Sequence, residues 1–155
     1  MTERMNPYLT QPQLTQPLID FAMTAARHSG IETPLQELVK IRASQLNHCA
    51  ICLHMHALDA RKAGESEMRI FMLDAWRESP LYTARERAAL AWTEALTRLT
   101  PQGVADEDYA MVEAEFSEAE RVSLTLMIGA INAFNRIGAG FRLSHPGSAP
   151  ARAAA

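Results

Sequence analysis

The sequence predicts an all-α fold: a helical bundle of six to seven helices. Three observations predict it. Apolar residues make up 48% of the chain and aromatics only 6%, with Ala, Leu and Met abundant. The β-branched and aromatic runs that strands favour are scarce. Apolar positions recur at the spacing of one helix face, and Ser, Thr, Pro and Gly stand where such segments would start and stop. At 155 residues the chain suits one domain with a proper core, and it shows neither an internal repeat nor a dividing linker.

Residues 1–16 are rich in Pro, Gln and Thr and read as an N-terminal arm, either disordered or packed on a neighbouring subunit. The helical domain spans 17–143. Its first helix is predicted from Pro17 to about His28, with Gly30 beyond its end. Thr33-Pro34-Leu35-Gln36 reads as a start signal, with Thr33 as N-cap and Gln36 closing a capping box. That helix should run to Leu46 and bury Leu35, Leu38, Val39, Ile41 or Arg42, and Leu46. Asn47 offers a turn and an N-cap for a third helix that starts near Cys49 and ends at Gly64.

Ser66 is expected to cap a helix reaching about Arg77. Thr83 and Glu86 form a capping box for a helix to about Leu99, with Ala88, Ala91, Trp92, Ala95 and Leu99 on one face. A shorter helix is predicted over Asp106–Glu115, and Ser117-Glu118-Ala119-Glu120 opens the last one, to about Gly138. Between Val122 and Ile137 this last helix is apolar nearly all round, so it should be buried on every side, in part by another subunit. Residues 144–155, with Pro, Gly and Ala, read as a flexible C-terminal tail.

The net charge of −3 and the lack of a basic patch with interleaved aromatics argue against a nucleic-acid partner. The N-terminus has no apolar run of a signal peptide, and no segment reaches the length of a membrane span. The expected location is cytoplasmic. In that reducing compartment a lone CxxC is redox-active or metal-binding rather than a structural staple.

Both cysteines and three of the five histidines fall within Asn47–His56. At about 100° per residue, Cys49, Cys52 and His56 share a helix face within an arc of roughly 60°. Cα atoms three apart on a helix are about 5–6 Å from each other, which a disulfide can bridge. A cysteine in the first turn also meets the positive end of the helix dipole, which favours thiolate. His56 lies one turn beyond Cys52, within reach of a proton exchange. Glu37 precedes the turn at Asn47 by about as many residues as His56 follows it. A helical hairpin would bring the two to one height, where the carboxylate could orient the imidazole.

Other readings of these residues stay open. Zinc could take Cys49, Cys52 and His56 with a fourth ligand from elsewhere, although no second CxxC or His pair stands at structural-zinc spacing. A non-enzymatic redox sensor or partner-binding module could use the same pair. Covalent haem attachment is excluded, because Leu53 stands where a His is needed. His54 points away from the reactive face and His48 falls at the helix cap. Asn132 and Arg136 suggest a buried polar contact without a defined role. Trp76, Trp92 and Tyr82 read as core or pocket wall.

The spacing Glu37, Cys49, Cys52, His56, with its flanks Glu37–Cys49 and His56–Gly64, resembles the alkylhydroperoxidase D-like (AhpD-like) family of the carboxymuconolactone decarboxylase-type superfamily. The likeness returns at Thr83–Ala91 and Ile131–Arg136 and covers roughly residues 33–140. The resemblance implies an AhpD-like helical fold that assembles into trimers or hexamers, with no cofactor and no metal. It implies peroxidase activity on small hydroperoxides, with a lipoyl-bearing or thioredoxin-like dithiol donor. By position Cys52 would be the peroxidatic cysteine, Cys49 the resolving one, and Glu37 and His56 the proton relay. Some members carry a His between the cysteines, where this chain has Ala50 and Ile51. Decarboxylases of the superfamily lack the Cys pair, which argues against lactone decarboxylation.

Overall fold

Side-chain caps start half of the helices seen in the computed structural model, which describes residues 2–146. In chain order these are α1 (Pro7–Thr10), α2 (Pro12–Arg27), α3 (Thr33–Leu46), α4 (Ala50–Lys62), α5 (Glu67–Met72), α6 (Ala84–Thr97), α7 (Asp106–Glu115) and α8 (Glu118–Phe141). A short 3-10 turn, Leu73–Ala75, follows α5. Among the described residues there is no β-strand, only an isolated bridge between Thr100 and Gly103. Both expected capping boxes form: Thr83 and Ser117 accept from the backbone N–H of Glu86 and Glu120, and those carboxylates accept from the cap N–H in return. Ser66 caps α5 through the Arg69 N–H.

The all-α expectation holds, with one helix more than the six to seven expected. The surplus comes from the segment read as an arm. Asn6 Oδ1 accepts from the N–H groups of Tyr8 and Leu9, with Pro7 at the first helical position. Pro12 stands at the first position of α2, where Gln11 gives no side-chain cap, so the helix begins before Pro17 and contains it. At the sixth position of α2 Pro17 forfeits the bond to the Gln13 carbonyl, and both residues are exposed, which leaves that carbonyl open to hydration. The Pro-rich composition hid two proline starts, one of them capped by Asn6. Of the expected tail, residues 147–155 lie outside the described residues. Ser144 donates to Glu3 through its N–H and hydroxyl, at 3.2 and 2.9 Å.

Two expected caps are different. Glu32, not Thr33, is the N-cap of α3, without a side-chain hydrogen bond. Gln36 instead turns its amide to Ser29 Oγ and the Ala26 and Ile31 carbonyls, tying the α2–α3 loop down. Asn47 is the C-cap of α3 rather than the N-cap of α4, which is Cys49.

Helix α3 is central and packs on α4, α6 and α8. Leu35 and Val39 join one core with Trp92, Val112, Leu124 and Ile128. Leu38 and Ile41 join another with Leu73, Trp76, Tyr82 and Leu90. All residues from Leu35 to Ser44 are buried except Lys40, so the expected stripe widens to almost the whole circumference. Buried Arg42 is compensated by Asp74 and by Glu94, which also accepts from Trp76 Nε1. A different correction applies to α8. It is long and apolar enough to cross a membrane by length and composition, but it packs on α2, α3, α4, α6 and α7 as the spine of the bundle. Within one chain Val122 is 60% and Leu126 43% exposed, on the part of the helix expected to meet another subunit.

Leu124 is fully buried between the α3, α6 and α8 faces. Leu124→Ala is expected to lower stability by about 3 kcal/mol, read as a fall in the urea midpoint at unchanged slope.

Candidate active site

A sharp turn at Asn47-His48-Cys49 folds α4 back along α3. His48 takes φ 54°, in the left-handed region, and its side chain is exposed. The Asn47 amide lies within hydrogen-bond distance of the Ala43 carbonyl and of Oδ1 of Asn132 and Asn135. Asn135 in turn donates to Ser44 Oγ at 2.9 Å. These bonds fasten the hairpin turn to α8, and they account for Asn132; Arg136 donates to the Asn132 carbonyl and Oδ1.

Cys49 and Cys52 are joined as a disulfide with a Cα–Cα distance of 5.3 Å. Cys49 is fully enclosed and Cys52 is 7% exposed, at the N-terminus of α4 where the helix dipole favours a thiolate. The backbone of α8 comes close at Gly138. A Cβ there would stand 2.6 Å from Cys49 Sγ and 3.3 Å from Cys52 Sγ. Only glycine leaves room for both sulfurs.

The hairpin brings Glu37 and His56 together, with Glu37 Oε2 2.9 Å from His56 Nδ1. Lys40, one turn along α3, holds the other oxygen, Oε1. Burial pushes the Glu37 carboxyl up, but the His56 hydrogen bond and the Lys40 charge outweigh it and hold it below the usual carboxylate range. An ionised Glu37 accepts from Nδ1–H, which leaves His56 Nε2 as the basic nitrogen. His56 and Cys52 border one cavity of about 510 Å³, walled by Tyr8, Ile51, Met55, Phe134, Gly138 and Leu143 among others. The wall is almost entirely apolar, so this base and this sulfur meet a space that disfavours water.

Glu37, His56 and Asp59 bring potential metal-ligating atoms within 4.8 Å of one another. Those atoms already serve each other, Lys40 and Lys62. The zinc set imagined from sequence is not assembled either, since the two sulfurs are bonded to each other. His54 stays off the site and stacks on His145, with ring centroids 5.0 Å apart.

Sequence reasoning missed Lys40, although an acid–base pair three apart on a helix is a readable signal. It also missed the role of Gly138, which was read as the end of the last helix and lies inside α8. Tyr8 and Leu143 join the cavity from the two ends of the chain and left no local signal.

A model of the carboxymuconolactone decarboxylase family matches residues 12–95. The uncharacterised protein YdfG of Bacillus subtilis is 40% identical over 88% of this chain and 92% of its own. The uncharacterised protein YnjA of Escherichia coli is 31% identical over 68% of this chain and 58% of its own. A crystal structure of an Agrobacterium tumefaciens protein of unknown function, suggested to be the antioxidant defence protein AhpD, superposes with a TM-score of 0.89 at 39% identity. It covers 94% of this chain and 99% of that one.

Two outcomes test this geometry. A disulfide locks both sulfurs against the Gly138 backbone, whereas free thiols can rotate away. Gly138→Ala should therefore disfavour the oxidised form and make the pair easier to reduce, read as a shifted midpoint in a dithiothreitol or glutathione redox titration. The gain in helix propensity is common to both redox states and cancels. For Glu37 the lowered pKa sets the sign of a pH effect. Its contribution to stability is present above the ordinary value of 4.5 and lost as pH falls through the lower, folded value. The stability difference between wild type and Glu37→Gln should shrink on acidification, measured by urea unfolding at a series of pH values.

Proposed function

Because the chain belongs to the carboxymuconolactone decarboxylase family, in its AhpD-like branch, we propose that it is a thiol-dependent hydroperoxide reductase. The observation that carries this reading is the Glu37–His56 hydrogen bond beside the Cys49–Cys52 pair, on one apolar cavity. In the reduced protein His56 Nε2 takes the Cys52 thiol proton, directly or through one water, and the helix dipole favours the resulting thiolate. The thiolate attacks the outer oxygen of the hydroperoxide. An S–O bond forms, the O–O bond breaks, and the departing alkoxide takes the proton back from His56 and leaves as alcohol.

Cys52 is then a sulfenic acid. The Cys49 sulfur attacks the Cys52 sulfur, an S–S bond forms, and the hydroxide leaves as water with the Cys49 proton. A dithiol donor, lipoyl-bearing or thioredoxin-like, returns two electrons and two protons by thiol–disulfide exchange. Cys52 takes the peroxidatic role because its sulfur keeps some exposure and borders the cavity with His56, whereas Cys49 is enclosed. A cytoplasmic setting suits a pair that must be reduced again. We extend the proposal to assembly: exposed Val122 and Leu126 on α8 and Met68 and Phe71 on α5 suit a homo-oligomer, a trimer or hexamer. As domain organisation we propose one helical unit that includes α1 and the whole of α2 and runs to about residue 143.

The test is consumption of an organic hydroperoxide with a dithiol reductant. Cys52→Ser should abolish turnover, and Cys49→Ser should lose turnover while still being oxidised once, seen by trapping the sulfenic acid. Glu37→Gln should slow the reaction by about a hundredfold. Full activity in Cys52→Ser would sink the reading. A disulfide that forms with peroxide but never turns over would make the protein a redox sensor instead.

A further inference from the structure

We propose that Lys40 is a positioning residue for the His56 base: by holding one oxygen of Glu37 it leaves the other for Nδ1–H and keeps the imidazole neutral, with Nε2 free to take a proton. The inference rests on the reductase reading only for what His56 does, not for the electrostatics. Lys40 is the one residue between Leu35 and Ser44 on α3 that is not buried, yet its ammonium folds back onto Glu37 instead of extending into water. Its side chain is 17% exposed, that of Glu37 7% and that of His56 15%. Three side chains in a row are thus largely withdrawn from solvent, where charges act on one another more strongly than in water.

The groups that face His56 decide the sign. On α4, Asp59 comes within 4.8 Å of both Glu37 and His56, with its own carboxylate bound by Lys62 at 2.8 Å. On α3 stand Glu37 and Lys40, while Tyr8 of α1 and Cys52, disulfide-bonded in the oxidised protein, share the larger cavity that His56 borders. The α2 and α8 walls around Lys40 and His56 carry no charge; they are Ala22, Met23, Ala26, Met127, Ala130, Ile131 and Phe134, lining a second cavity of about 190 Å³. Without Lys40, two carboxylates would face the imidazole with only the distant Lys62 against them. That arrangement draws a proton onto His56 and removes the base. Lys40 supplies the missing positive charge on the Glu37 side. Among the influences that hold Glu37 below the usual carboxylate range, the Lys40 charge and hydrogen bond add to that of His56.

The test compares wild type with Lys40→Met, Lys40→Gln and Lys40→Arg. The readout independent of turnover is the His56 ring titration, followed by nitrogen–proton correlation spectra of the oxidised protein. Both neutral variants should raise the His56 midpoint, because a nearby positive charge is lost, and Lys40→Arg should return it towards wild type. The acid limb of hydroperoxide reduction should move upward by the same amount in the neutral variants. A purely structural role would lower the rate at every pH without moving either midpoint. An unshifted His56 titration in whichever neutral variant folds overturns the inference. If wild type and variants alike fail to consume hydroperoxide, the reductase reading falls, while the spectra still decide the role of Lys40.

Discussion

A single hydrogen bond, Glu37 Oε2 to His56 Nδ1, exists only while α3 and α4 keep one register. A slip of one residue would displace a side chain by about 1.5 Å along the axis and swing it by about 100° around it. Glu37 would then leave the imidazole and be stranded in a buried position, with its charge compensated by Lys40 alone. The register is fixed at the turn and not at the contact. Asn47 bonds to Asn132 and Asn135 on α8, Asn135 bonds to Ser44, and every donor in that knot is satisfied inside the protein. The polar cluster fits one alignment of three helices, whereas the apolar packing around it would accept several.

The same knot places the sulfurs. It sets Cys49 at the N-cap of α4 and Cys52 in the first turn, against the bare backbone of Gly138. Two requirements of the proposed chemistry conflict at this point. A nucleophilic sulfur needs stabilised negative charge, and a substrate with an apolar body needs a dry wall. The helix dipole and a base one turn away answer the first without adding a charged side chain to the cavity, which leaves the wall to answer the second.

The ends of the chain complete the enclosure. Arg4 donates from its backbone N–H to the Phe141 carbonyl at 3.0 Å and from its side chain to the Gly140 carbonyl at 2.9 Å. Glu3 receives Ser144 in turn. Tyr8 and Leu143, close to these contacts in the chain, line the cavity that Cys52 and His56 border. Arg142 makes this possible by turning the chain through the left-handed region at the end of α8, so that Leu143 folds inward.

The sequence by itself determined whatever depends on neighbours a few residues apart. The capping boxes at Thr83 and Ser117, the limits of α7, and the shared face of Cys49, Cys52 and His56 are local consequences of side-chain length and helical period. Even the Glu37–His56 meeting was legible, because equal spacing about a turn needs only the hairpin to form. The N-terminal helices were legible in principle but masked by composition: Asn6-Pro7 and Gln11-Pro12 are helix starts inside a stretch that looks unstructured. Tertiary structure alone decided the rest. Gln36 left its expected capping box for Ser29, Asn47 became the centre of a knot with α8, and Gly138 met two sulfurs from far along the chain. These depend on which helix lies against which, a choice made by the summed burial of two apolar clusters on either side of α3, and no short stretch of sequence contains that sum.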